Sequence, residues 1–214
     1  MRKLVWWAKA DPSKNTQADW VDHPWHSGPA LFVNGHAVAY NYVAQMVSQN
    51  ILAIRHHLGV GDAHLQFIPV PSSDVLQATA RTARWSGREI ATRLAKLGVG
   101  SVGPLIVNRQ PMPKKNQGAN PTFTEIRKNL VQAVGHGAFL PNSRVVYIDD
   151  VVTNGNHIAA LDDFCGSRLG ATAICIASTD SIPRDAYECR LRKITVDPAP
   201  FMSRLGPEAS VFDI

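Results

Sequence analysis

The sequence predicts an α/β fold: an open, mainly parallel sheet flanked by helices, with a small N-terminal hood. Two observations carry this expectation. From about residue 64 onward, short apolar runs alternate with segments of helical periodicity, the order produced by a parallel sheet with crossover helices. In addition, 45% of the 214 residues are hydrophobic against 18% charged, which suffices for one sizeable core and sets disorder aside.

In chain order, residues 1–60 form the hood and residues 61–214 the core of one compact domain. Trp6, Trp7, Trp20 and Trp25 crowd among Asp, His and Pro, with little periodicity before Ala30. Ala30 to Val33, Asn34-Gly35 and His36 to Tyr40 read as a β-hairpin, since Asn-Gly suits a type I′ turn. An amphipathic helix through Val43, Met46, Val47, Ile54 and Leu58 is expected next. The candidate strands of the core are Leu65 to Val70, Leu105 to Asn108, Val145 to Ile148, Ala171 to Ala177 and Ile194 to Val196. Between them, one helix carries Ile90, Ala91, Leu94 and Leu97 and stops at Gly98, a C-terminal cap residue. A second shows Phe123, Ile126, Leu130, Val131 and Val134 on one face. It opens at Thr122 with Glu125 three residues later, the pattern of a capping box. A third carries Ile158, Leu161, Cys165 and Leu169 before Gly170, and its Asp162-Asp163 pair falls between the apolar positions, on a solvated face. Arg109 to Thr122 is a polar loop rich in Pro and Gly, and loops of that length in compact domains are functional or disordered.

No run approaches the roughly 20 apolar residues of a membrane span. The start reaches Lys9 and Asp11 too soon for a signal peptide, so a cytoplasmic protein is expected. Cys165, Cys175 and Cys189 are odd in number and form no C-x-x-C pair, which argues against a disulfide framework or a zinc knuckle. The histidine pairs His23/His26 and His56-His57 lack neighbouring cysteines and read as ordinary surface or core residues. A formal charge of +5 and a pI near 9.3 fit an anionic ligand, a nucleic acid or simply a basic surface.

The segment from Arg144 to His157, Arg-Val-Val-Tyr-Ile-Asp-Asp-Val-Val-Thr-Asn-Gly-Asn-His, carries the chemistry. A buried parallel strand ends in Asp149-Asp150, and a short loop with Gly155 leads into a helix. In open α/β sheets, ligands sit beyond the carboxyl ends of the strands. The loop amides and the helix start attract phosphate through unpaired N–H groups and the helix dipole. Gly155 lets the backbone come close to the anion. Acids beside phosphate-binding amides imply a ligand with both hydroxyls and a phosphate. The alternative, acids that merely cap the next helix, leaves the strand-acid-loop-helix order unexplained.

This arrangement resembles the phosphoribosyl-pyrophosphate signature of type I phosphoribosyltransferases, in which an apolar strand precedes two acids, two apolar residues and a Thr/Gly-rich phosphate loop. The resemblance implies a type I phosphoribosyltransferase-like core. Asp149 and Asp150 would engage the ribose hydroxyls of 5-phosphoribosyl-1-pyrophosphate, while Thr153, Asn154, Gly155, Asn156 and His157 hold its 5-phosphate. Asn154 and Asn156 occupy positions often held by Thr and a small residue. His157 replaces a usual Thr and is either a phosphate donor or an ordinary first-turn residue. Thr153 stands where hypoxanthine-guanine members carry an acid, so that substrate class is not expected. Ser72 and Ser73, after Phe67 to Pro71, fall where the family's pyrophosphate loop follows its first core strand. Arg81, Arg84 and Arg88 bracket Trp85-Ser86-Gly87 before a helix, offering cations and amides for a pyrophosphate or else a solvated basic helix start. With Arg109, Gln117, Arg127 and Asn129, these features resemble the competence-associated ComF-like branch, across roughly residues 64 to 180. The cysteine-rich knuckle that opens many ComF-like chains is absent. The start Met1-Arg2 also lacks the cysteine nucleophile of a glutamine-dependent amidotransferase, so that reaction is not expected.

The reaction so implied places Mg2+ with the sugar pyrophosphate and has pyrophosphate depart as an acceptor base or amine joins the ribose. Asp149 and Asp150 would stabilise the cationic ring, and Arg84, Arg109 and magnesium would neutralise the leaving group. Lys114 and Lys115 either close over the site with their loop or are ordinary loop charges. The Trp-rich N-terminus either stacks a planar acceptor or packs as a contact in a homodimer. Two other readings stay open. One is a regulator that keeps the pocket without turnover, for which Asn154, Asn156 and His157 argue. The other is a protein of DNA uptake or nucleic-acid handling, supported mainly by the basic charge.

Overall fold

The computed structural model describes residues 19–21, 31–33, 36–113, 121–152, 155–166 and 173–178. Asp19–Val21 (β1) pairs antiparallel with Leu31–Val33 (β2), and the helices His36–Gln49 (α1) and Ile51–Leu58 (α2) follow. The expected hairpin across Asn34-Gly35 does not form: residues 36–40 open α1, and β2 takes β1 as its partner. Ala39, Tyr40, Val43, Ala44, Met46 and Val47 are buried at helical spacing, so burial of this face overrides the local turn signal. The single helix expected over this stretch breaks at Asn50, whose side-chain amide donates to Met46 O (2.8 Å).

The core then runs Leu65–Pro69 (β3), Ser86–Lys96 (α3), Ser101–Val102 (β4), Ile106–Asn108 (β5), Phe123–Asn129 (α4), Leu130–Gln132 (β6), Arg144–Val152 (β7), Asn156–Phe164 (α5) and Ala173–Ser178 (β8). Four of these strands form a parallel sheet in the order β4-β3-β7-β8, while β5 and β6 pair antiparallel beside it. Leu65, Phe67, Val146 and Ile148 share a core with α1 and α3. Ile68, Val145 and Tyr147 share another with Ile126 of α4 and Ile158 and Leu161 of α5. Successive residues of β3 and β7 thus enter two covered faces, which is why both strands read as mainly apolar runs rather than as an apolar-polar alternation. Gln66, 1% exposed, sits in that run with its amide bonded to Ala138 O (2.8 Å) and to the Leu140 N–H (3.2 Å).

Helix α3 connects β3 to β4 and α5 connects β7 to β8, so the strand order reverses between β3 and β7. Gly98 takes φ 72° after α3, as its cap role requires, but Leu97 is 44% exposed rather than on the buried face. Helix α4 opens with the expected capping box: the Thr122 N–H donates to Glu125 Oε2 (2.7 Å) and the Glu125 N–H to Thr122 Oγ1 (3.3 Å). It is shorter than its periodicity predicts. Leu130 and Val131 leave the helix to pair with β5, and Val134 is 76% exposed. The solvated Asp162-Asp163 face needs one correction. Asp163 pairs with Arg127, whereas Asp162 accepts a bond from the buried Tyr147 hydroxyl (2.9 Å). Leu169, Gly170, Cys189 and the expected strand from Ile194 to Val196 lie outside the described residues, as do Trp6, Trp7, Trp25, His23 and His26. Among the described residues, no helix is long and apolar enough to cross a membrane.

Candidate ligand-binding site

Pairing with β3 stops at Pro69↔Ile148, while pairing with β8 continues through Asp149↔Cys175 to Val152↔Ser178. The strand therefore does not end at the acids, as the sequence predicts; its β8 side carries it to Val152. On the β3 side, the two half-buried acids stand just past the last pair. There β3 makes one more bond, from the Val70 N–H to Ile148 O (2.9 Å), before Pro71, which has no N–H to continue the ladder. The acids occupy the ledge between strands whose crossovers diverge, the place where open α/β sheets bind ligands.

Helix α3 closes in on this ledge because Gly87 has no side chain. A Cβ there would lie 2.5 Å from Ile148 O and 3.4 Å from Val70 N. The preceding Ser86 donates from Oγ to Asp150 Oδ2 (2.9 Å), and the Asp150 N–H donates to Asp149 Oδ1 (2.8 Å). Tyr40 of α1 lies near the same group. Burial, with help from Glu89 and Asp150 and against the pull of Arg93, raises its phenol to about 12, so it stays neutral.

Beyond β7, Gly155 adopts φ 77° and starts α5. Asn156 Nδ2 donates to Pro121 O (3.4 Å). Burial lowers the His157 pKa from its ordinary value, disfavouring the cationic ring. Thr153 and Asn154 lie outside the described residues, as do Lys114 and Lys115.

Ser72 and Ser73 are half-buried in a turn closed by the Val75 N–H on Ser72 O (3.1 Å). Arg84 is exposed just before α3. Arg88 is committed elsewhere: its Nη1 donates to Ala83 O (2.7 Å) and Ala80 O (3.0 Å), and its guanidinium lies over the Trp85 ring. Arg109 is exposed and lines a cavity of about 600 Å³ with Met112, Pro121, Glu125, Lys128 and Asn129, a lining that includes neither acid. The structure thus gathers Ser72, Ser73, Asp149, Asp150 and the Gly155–His157 start at one edge of the sheet, with Arg109 in a neighbouring cavity.

Two residues escaped the sequence reading of the site, Tyr40 and Asn108, whereas Ser86 and Asn129 figured in it without the bonds they make here. Asn108 left a visible signal, an amide at the end of the apolar run Leu105-Ile106-Val107. It is 2% exposed and donates from Nδ2 to Ser72 O (2.8 Å). Among the described residues no group of three or more His, Cys, Asp or Glu converges as a metal cage. Magnesium does not need one, since it keeps several waters and binds through one or two carboxylates plus substrate phosphates, and Asp149-Asp150 fits that mode.

No family model and no curated protein matches the chain. Solved structures do match it. Hypoxanthine phosphoribosyltransferase from Trypanosoma cruzi aligns over 71% of this chain and 71% of that one, at 11% identity with a TM-score of 0.40. Adenine phosphoribosyltransferase from Saccharomyces cerevisiae, complexed with an imino-altritol bisphosphate and adenine, aligns over 76% and 83%, at 14% identity and a TM-score of 0.41. Identities and scores this low leave the activity to be argued from this chain's own residues.

Proposed function

We propose that this chain binds 5-phosphoribosyl-1-pyrophosphate with Mg2+ at the β7 ledge and transfers the phosphoribosyl group to a nitrogenous acceptor. The observation that carries the reading is the half-buried Asp149-Asp150 pair, placed where β3 stops pairing and followed within a few residues by the left-handed Gly155 and the start of α5.

In this reaction the bond between ribose C1 and pyrophosphate oxygen breaks with its electron pair leaving on pyrophosphate, and the acceptor nitrogen bonds C1 and then loses a proton to solvent. Positive charge builds on the ring and negative charge on the departing oxygens. Asp149 and Asp150 accept bonds from the ribose hydroxyls and offset the ring charge. A carboxylate offers about four lone-pair positions, so Asp150 can accept from Ser86 and a sugar hydroxyl together. Backbone amides at Gly155, Asn156 and His157, with Thr153 and Asn154, hold the 5-phosphate. On this reading the Ser72-Ser73 turn, Arg84 and Arg109 would neutralise the pyrophosphate, with Lys114 and Lys115 as further cations of the same loop. Asp149 or Asp150 would hold magnesium together with the ligand's phosphates, and the ion so bound would supply charge neutralisation to the leaving group. A second reading, a regulator that binds the ligand without turnover, is favoured by Asn154, Asn156 and His157 at positions where the resemblance implies other residues.

Calorimetric titration with the sugar pyrophosphate and magnesium tests the proposal. Asp150→Asn keeps the shape and removes the charge, and should weaken binding about 10- to 150-fold, the range of a charge-assisted hydrogen bond. Unchanged affinity would remove the acids from the site. Pyrophosphate release with candidate amines and nucleobases separates turnover from binding alone.

A further inference from the structure

We infer that Asn108 and Asn129 are positioning residues: they lock the Ser72-Ser73 turn to the Arg109–Met112 segment, so that the pyrophosphate end of the ligand meets one preassembled surface. This inference rests on the reading of the site given above. Asn108, 2% exposed, and Asn129, 6% exposed, are buried amides at the ends of β5 and α4. The Asn108 amide nitrogen donates to Ser72 O (2.8 Å), and that of Asn129 lies 3.5 Å from Asn108 Oδ1. Asn129 also makes a reciprocal pair with the backbone of one residue, donating to Gln110 O (2.8 Å) and accepting from the Gln110 N–H (3.1 Å). Two side chains thereby connect Ser72 to Gln110 without a break.

Backbone bonds run alongside. The Asn108 N–H donates to Val75 O (2.9 Å), Arg109 N–H to Asn129 O (2.8 Å) and Met112 N–H to Ser73 O (2.8 Å). Burying an amide costs free energy unless its bonds are made. An aliphatic residue at 108 would continue the apolar run of β5 and leave Ser72 O with the Val75 N–H of its own turn, cutting the link to Asn129. What the amides add is a fixed distance between the serine turn and Arg109, and preorganised donors aimed at a ligand bind it without an ordering cost.

The test separates the two ends of the ligand. Asn129→Asp exchanges the donor for an acceptor facing Gln110 O, and Asn108→Ala removes the link to Ser72 without adding charge. In either variant that folds, affinity for pyrophosphate with magnesium should drop about tenfold or more, while affinity for ribose 5-phosphate changes by less than about twofold. Equal losses for both ligands, or no loss, would overturn the inference and reduce the asparagines to packing. If ribose 5-phosphate binding still depends on Asp150 in those outcomes, the wider reading survives alone. If the wild-type chain binds neither ligand, both fall together.

Discussion

Asp150 is held in one orientation by Ser86, which donates to Oδ2 across 2.9 Å from a position 64 residues away in the chain. The acid pair itself was legible, since two carboxylates directly after an apolar run are conspicuous in a sequence. The bond from Ser86 was not, because nothing local to that serine marks a partner so distant. His157 yields a prediction at this scale. Burial holds its imidazole below the usual 6.5. As pH falls through about 6.5 the unfolded chain takes up a proton that the folded one resists, so this ring's contribution is complete above that pH and is lost below it. The loss is at most ~1.4 kcal/mol per pH unit. His157→Gln should therefore flatten the decline in denaturant stability between about pH 7 and about pH 5.5. Parallel declines in variant and wild type would contradict the assignment.

At the scale of elements, the contact between α3 and the β3–β7 edge sets the site's width. Gly87→Ala would force backbone apart, since the added carbon meets Ile148 O at 2.5 Å. Overpacking of this kind costs about 1–3 kcal/mol, against the up to ~1 kcal/mol that alanine gains over glycine within a helix. A lowered melting temperature together with weaker binding of the sugar pyrophosphate is expected, because α3 carries Ser86 away from Asp150. A variant that melts and binds as the wild type does would show that the close approach is dispensable. Other elements show where sequence reading runs out. The capping box at Thr122 was legible because its partners lie three residues apart. The end of α4 was not, because Leu130 and Val131 suit a helix face and a strand equally, and only pairing with β5 decides between them. The same holds for residues 36–40, where Asn34-Gly35 promised a hairpin and packing of Tyr40 and Val43 against the core imposed a helix.

At the scale of the whole molecule, the parallel sheet was legible because β3 and β7 bury both faces and read as mainly apolar runs between helical patterns. The order β4-β3-β7-β8 was not, since it depends on which way each crossover turns. That order puts the diverging point of the sheet at Asp149-Asp150, with Gly155 and the start of α5 following within a few residues. A crystal structure of the protein with 5-phosphoribosyl-1-pyrophosphate and magnesium examines this directly. The account predicts ribose hydroxyls about 3 Å from the Asp149 and Asp150 carboxylates, with the 5-phosphate over Gly155 to His157. A ligand bound away from the β7 edge, or reversed so that its 5-phosphate faces the acids, would contradict it.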